Sequence, residues 1–292
     1  MDIKSKFKDY SSFTKFRLTF SVAISALAGF LLAGGGTGLQ FFYLLLGGFF
    51  VTSASIGSNQ IWERKLDAQM QRTADRPIPS GRMSLTEAVI AVIIFLTVGS
   101  WMLYQLNLNT MILGLISYVS YAFIYTPSKR VTPWAVVIGA FPGAMPPMIG
   151  AVGAIEGGAF GALPGALFFV QFMWQLPHFW AIAWVADKDY SLAGFNLLPS
   201  KHGKTKIAAF RIAFVALLLI PFSLLPWALE LEGANLGWFT VAIVSLLGLW
   251  FFLYAYKLYL TLDDKAAKKL MFASFIYLPL VQYTYVIDKY FF

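Results

Sequence analysis

The chain has 292 residues, of which 59% are hydrophobic and 12% charged, and its mean hydropathy is +0.69. A soluble domain of this size carries roughly a quarter of its residues as charges, so a water-soluble fold is excluded and the chain reads as an integral membrane protein. The formal net charge of +8 lies in short clusters beside apolar stretches, which argues against nucleic acid as a partner and for membrane lipid. With no Cys, disulfides and thiolate metal sites are excluded as well.

Apolar stretches of about 18 to 24 residues predict membrane helices, since a barrel strand needs only about 10 residues with polar alternation. The predicted fold class is an all-α polytopic membrane protein. The polar N-terminal arm holds Lys4, Lys6, Lys8, Lys15 and Arg17 and shows no cleavage-like site, so no signal peptide is read. Asp2 and Asp9 argue against a mitochondrial transit sequence, and the expected location is a bacterial plasma (inner) membrane. Nine spans are predicted at about 17–34, 39–58, 86–104, 109–126, 133–153, 161–186, 207–229, 236–256 and 268–287. They form one domain over 1–292, with a hint of four-helix repeats at about 17–126 and 133–256 plus a ninth helix.

With a cytoplasmic N-terminus, the N-terminal arm, the loops after spans two, four, six and eight and the bordering span ends hold 21 of the 22 Lys and Arg residues, all but Lys289. That asymmetry follows the positive-inside rule and predicts an external C-terminus. The external loops carry Glu156, Glu230 and Glu232. Two cytoplasmic loops, residues 59–85 and 187–206, differ from the rest in length and chemistry and are the candidate active segments.

Asn59, Glu63 and Asp67 recur at i, i+4 and i+8, which lines three oxygen-bearing side chains along one helix face over about 12 Å. Such a row suits a hard divalent ion such as Mg²⁺, which takes one or two carboxylates and is completed by substrate phosphates. The same spacing also fits a solvated helix end with Glu63, Arg64, Lys65 and Asp67 paired locally. Arg72, Arg76 and Arg82 follow in a turn-rich stretch where guanidinium forks could take phosphate oxygens, although topology signalling alone accounts for Arg82. Lys129, Arg130 and Lys188 complete the cationic candidates for a diphosphate. In the second loop Asp187 and Asp189 point to different sides of a regular helix, so joint metal binding needs local unwinding there. Lys201, His202, Lys204 and Lys206 read as headgroup anchors.

His178 lies inside span six after Pro177. An ionisable group at that depth is a functional candidate by default; the other reading is a neutral imidazole hydrogen-bonded between helices. Span five holds Pro142, Pro146 and Pro147 with Gly139, Gly143 and Gly150, which bend the helix and permit close packing or a cavity wall. Its Met145 and Met148 fit packing better than ligand contact.

These residues resemble those of the protohaem IX farnesyltransferases, or haem O synthases, of the membrane prenyltransferase superfamily, over nearly the whole chain. The superfamily's first motif, Asn-x-x-x-Asp-x-x-x-Asp, is similar to Asn59, Glu63 and Asp67, with Glu63 standing for an aspartate, and Asp67-Ala68, Met70, Arg72, Thr73, Arg76-Pro77 and Ser80-Gly81-Arg82 look like its continuation. The haem-modifying branch is matched by Tyr125-Thr126, Pro146-Pro147-Met148-Ile149-Gly150 and Pro177-His178-Phe179-Trp180-Ala181. Asp189-Tyr190 through Ala193-Gly194 to Leu198-Pro199 is similar to the second-loop signature, with Phe195-Asn196-Leu197 in place of Ile-Pro-Met and Leu176 in place of a proline.

The resemblance implies helices around a central cavity and transfer of a farnesyl group from farnesyl diphosphate to the 2-vinyl group of haem B, giving haem O. It implies Mg²⁺ held by Asn59, Glu63, Asp67, Asp187 and Asp189, diphosphate on Arg72, Arg76, Lys129, Arg130 and Lys188, and haem against His178 and Met148. A haem A synthase or an oxidase-assembly protein is the partner such an enzyme implies. The rival readings are a quinone or other aromatic-acceptor prenyltransferase, a secondary transporter, and a non-enzymatic haem-binding protein that leaves the acids and arginines idle.

Overall fold

The protein is described by a computed structural model covering residues 3–132, 134–192, 194–200, 202–231 and 233–292. Asp2, Ala193, Lys201 and Glu232 lie outside the described residues. The helices are α1 (Ile3–Phe13), α2 (Phe16–Leu32), α3 (Leu39–Asp67), α4 (Leu85–Tyr104), α5 (Leu108–Val119), α6 (Thr126–Ser128), α7 (Ala135–Ala154), α8 (Ala162–Val185), α9 (Asp187–Leu192), α10 (Lys206–Ser223), α11 (Leu225–Ala228), α12 (Trp238–Thr261) and α13 (Asp264–Phe291). A π-helical turn, Ser120–Tyr125, joins α5 to α6, so that Leu108–Ser128 is one span.

Among the described residues, seven helices are long and apolar enough to cross a membrane, and α1 with α2 makes an eighth across a 53° bend. The remaining predicted span, the sixth, is α8, which has 24 residues but carries Gln171, Gln175, Pro177 and His178 and falls short on apolarity rather than length. Burial explains why it tolerates them, because Gln171, Trp174, Gln175, His178 and Trp180 all face protein. The outer helices show the opposite pattern. Ile90, Ile93 and Ile94 of α4 and Leu246, Leu249 and Leu253 of α12 are exposed, as suits faces turned to lipid.

Packing runs in the order α2, α3, α4, α5, α7, α8, α10, α12, α13, and α13 returns to α2. The most extensive contacts across this ring are α2 on α7 and α8 on α13. The first depends on glycine: a Cβ at Gly29 would overlap the Pro147 carbonyl, and one at Gly150 the Ala26 carbonyl, so the two backbones touch. The prolines of α7 free carbonyls four residues back, and neighbours take them. Ser117 Oγ donates to the Pro142 carbonyl at 3.2 Å and Gln171 Nε2 to the Gly143 carbonyl at 2.7 Å. Gln171 Oε1 then accepts from Ser25 Oγ at 2.7 Å and from Gln282 Nε2 at 2.8 Å, which pins α2, α7, α8 and α13 together.

Lys289, which departs from the charge asymmetry, has a local reason for its place. Its ammonium donates to the carbonyls of Leu32 and Gly233, each at 2.6 Å, capping the C-terminal end of α2. Asp288 beside it accepts from the Gly237 and Thr240 amides at 2.7 and 3.1 Å and caps the start of α12.

Candidate active site at the basic end

The helix α3 continues to Asp67, well past its apolar stretch, and so carries Asn59, Glu63 and Asp67 as one row. All three are buried, with relative exposures of 2%, 6% and 0%. The local pairing open to the sequence is not what forms. Glu63 accepts from Lys129 Nζ at 3.0 and 3.2 Å, Asp67 Oδ2 accepts from Arg76 at 2.6 Å, and Arg64 instead donates to the Ile61 carbonyl. Asp67 Oδ1 is buried with no hydrogen-bond partner. A buried carboxylate oxygen left unpaired costs about 1–3 kcal/mol or more, so this atom is placed for a donor or cation.

The π-helical turn sets the far wall. Thr126 Oγ1 donates to the Tyr121 carbonyl at 2.9 Å and, with its single hydrogen committed, accepts from Asn59 Nδ2 at 3.1 Å. That fixes the Asn59 amide, and its carbonyl oxygen bonds no described residue. Lys129 also lies over the Tyr125 ring, 4.7 Å from its centre. Burial opposes the Lys129 charge, and the Glu63 carboxylate more than offsets it, so its ammonium is held above the ordinary lysine value.

The loop after α3 is anchored by buried Met70, Thr73 and Met83, and Thr73 Oγ1 donates to the Asp67 carbonyl at 2.9 Å. Arg72 lies 5.7 Å from the Tyr190 ring centre and thereby joins the two candidate loops. Arg82 is spoken for by Asp9 and Asp75, each at 2.8 Å, and ties α1 to the loop. Arg130 and Lys188 are exposed.

In the second loop the helix breaks at Ala186, and Asp187 and Asp189 open α9 in its first turn. No unwinding occurs there, so the two carboxylates diverge, and neither has an ion-pair partner among the described residues. Among those residues no three His, Asp or Glu side chains converge as a ready metal cluster. Lys204 pairs with Asp264 at 2.6 Å and Lys206 lies over Tyr259 at 5.4 Å, so both of these cations have protein partners.

His178 lies seven residues, about 10 Å, in from the end of α8. Its Nδ1 is 2.7 Å from Ser274 Oγ of α13, and its ring stacks on Trp174 at 4.5 Å. Met148 packs with the apolar cluster that includes Phe30, Met145 and Ile149.

Lys15 is the residue that sequence reasoning passed over as part of the N-terminal arm. It occupies the break between α1 and α2 in the left-handed region, φ 47° and ψ 56°, a conformation that costs a non-glycine residue about 1 kcal/mol or more. Flanking bonds hold it: Gln60 Nε2 donates to the Phe13 carbonyl and Thr19 Oγ1 to the Thr14 carbonyl, each at 2.6 Å. Its side chain lies close to the charges of Arg76, Lys129, Arg72 and Glu63, which makes it a further diphosphate candidate. No Gly or Pro marks this break in the sequence.

The model of the UbiA prenyltransferase family matches residues 22–277. The chain is 46% identical to the protoheme IX farnesyltransferase of Cytophaga hutchinsonii, over 98% of this chain and 99% of that one. It is 44% identical to the protoheme IX farnesyltransferase of Flavobacterium psychrophilum, over 99% and 96%. Its fold is similar to a UbiA homologue from Aeropyrum pernix K1, with a TM-score of 0.71 at 18% identity over 92% and 97% of the two chains. It is also similar to a UbiA homologue from Archaeoglobus fulgidus bound to DMAPP and Mg²⁺, with a TM-score of 0.68 at 16% identity over 94% and 98%. The chain belongs to the UbiA prenyltransferase family.

Proposed function

We propose that this enzyme transfers a farnesyl group from farnesyl diphosphate to the 2-vinyl group of haem B and so makes haem O. The observation that carries the reading is Asp67, one oxygen clamped by Arg76 and the other buried without a partner, inside a ring of cations that the acids alone do not need. The names of the relatives favour haem B over a phenolic acceptor.

The oxygen-only donor set of Asn59, Glu63 and Asp67 fits a divalent ion, and Mg²⁺ is the proposed one, with Asp187 or Asp189 reaching in from the second loop. When bound, that ion supplies positive charge against the departing diphosphate. The chain's own cations do the rest of the diphosphate binding. Arg76 and Lys129, held beside Asp67 and Glu63, and Arg72 and Lys15 near them present preorganised positive charge to the phosphate oxygens, while Arg130 and Lys188 draw the anion in from outside.

The farnesyl C1–O bond breaks as the vinyl terminal carbon bonds to C1. Water adds its oxygen to the inner vinyl carbon, and one proton leaves with the diphosphate. Apolar and aromatic walls inward of the acids, with Met148 and His178 against the haem, keep other water from the allylic cation. The enzyme is proposed to work in a bacterial inner membrane with its N-terminus cytoplasmic, and to hand haem O to a haem A synthase or an oxidase-assembly protein. Incubation of purified enzyme with haem B and farnesyl diphosphate tests the reaction: a product heavier by farnesyl plus hydroxyl, absent without divalent ion, is expected, and unchanged haem B would overturn it.

A further inference from the structure

His178 is bound to the protein through one ring nitrogen only. Its Nδ1 is 2.7 Å from Ser274 Oγ, and that same Oγ is 2.6 Å from the Met271 carbonyl oxygen. A carbonyl has no proton to give, so the serine spends its single hydrogen there. Ser274 Oγ then accepts from the imidazole, which puts the proton of the neutral ring on Nδ1. Nε2 is left as an unprotonated lone pair that bonds no described residue.

The ring is also fixed in orientation. Trp174 stacks on it at 4.5 Å and 16°, and the Trp174 indole N–H is itself held by the Ser274 carbonyl at 3.0 Å. Phe275 packs edge-on at 4.9 Å and 78°. A histidine needed only to join two helices has no use for three such restraints.

We propose that Ser274 is a positioning residue that fixes His178 as an axial ligand of the haem iron, through Nε2. The proposal rests on the reading of haem B as the acceptor. Ligating histidines donate their other ring N–H to an oxygen that sets the tautomer and raises the basicity of the ligating nitrogen. The chain from Nε2 through Nδ1–H and Ser274 to the Met271 carbonyl supplies that arrangement within the protein.

The test is spectroscopy of the full-length enzyme in detergent, titrated with haem B and reduced. The wild type should show an iron–histidine stretching band, and His178→Ala should lose it and regain ligation with added imidazole. Ser274→Ala should keep the histidine ligand but lower the stretching frequency, and weaken haem binding by about 10–100-fold. The isosteric pair Ser274→Thr and Ser274→Val separates the hydroxyl from packing: threonine should keep the wild-type band position and valine should show the lowered frequency. Unchanged iron spectra in folded His178→Ala, or a Ser274→Val enzyme matching Ser274→Thr in band position and haem affinity, would overturn the inference. Product mass from the wild type is measured alongside: if farnesylated haem forms while the histidine band is absent, ligation fails and farnesyl transfer stands, and the reverse result separates the two the other way.

Discussion

The basic end of α3 and the middle of α8 are both buried and polar, yet they are built differently. Around Asp67 the groups are charged, drawn from segments far apart in sequence, and left with an unpartnered oxygen. Around Gln171 the groups are neutral, and they are spent on one another and on a carbonyl released by Pro147. The first arrangement stores unmet electrostatic demand near the aqueous end, where an anion and a cation can enter together. The second closes most polar valences inside the spans and leaves apolar surface for a prenyl chain. Charge near the rim and neutral bonding at depth is what ionising a diphosphate beside a water-sensitive cation requires.

If that division is right, Asp67→Asn has the largest effect and it is catalytic. The change keeps size and one oxygen but removes the charge that faces Arg76. Turnover should fall by at least about 100-fold, with haem binding and thermal stability near wild type. Near-normal product formation with an unchanged divalent-ion requirement would remove α3 from the metal site.

Gln171→Leu should show the opposite signature. It strips partners from Ser25, Gln282 and the Gly143 carbonyl in a place water does not reach, and should cost about 1–2 kcal/mol of stability in a detergent denaturation series. The divalent-ion dependence of the surviving enzyme should be unchanged. An enzyme of normal stability with altered ion dependence would merge the two regions that the comparison separates.

Lys15 tests how much positive charge the basic end uses. It sits at the break between α1 and α2, close to Arg72, Arg76 and Lys129. Lys15→Met should raise the KM for farnesyl diphosphate about tenfold, as one lost charge contact implies, and Lys15→Arg should keep it near wild type. A KM unchanged in Lys15→Met would remove Lys15 from the anion site.

How far the sequence carried these features depends on whether their cause is local. The row Asn59, Glu63, Asp67 follows from helical period alone, and α3 carries it as expected. Its partner Lys129 comes from 66 residues away, and no periodicity encodes that meeting. The bend at Lys15 has no Gly or Pro to announce it. In α8, Gln171, Gln175 and His178 fall at i, i+4 and i+7, but only the ionisable His178 stands out in the sequence, and the meaning of the stripe depends on Ser25, Ser274 and Gln282 of other helices. The same stripe explains why α8 lacks the apolarity of the other spans.

The smallest expected effect sharpens the comparison most, because it moves no charge. Thr126 accepts from Asn59 and donates to the Tyr121 carbonyl in the π-helical turn, much as Ser274 stands between His178 and Met271. Each hydroxyl is fixed by a carbonyl and in turn orients one polar side chain. Thr126→Val keeps the shape and removes only the relay, so the Asn59 amide can rotate and its carbonyl oxygen no longer points one way. The loss should be about 1 kcal/mol, one ordinary hydrogen bond, seen as a roughly fivefold higher divalent-ion requirement at constant haem affinity. Thr126→Ser, which retains the hydroxyl, should behave as the wild type. If valine and serine at this position gave the same ion requirement, the orientation of Asn59 would be set by packing rather than by the relay.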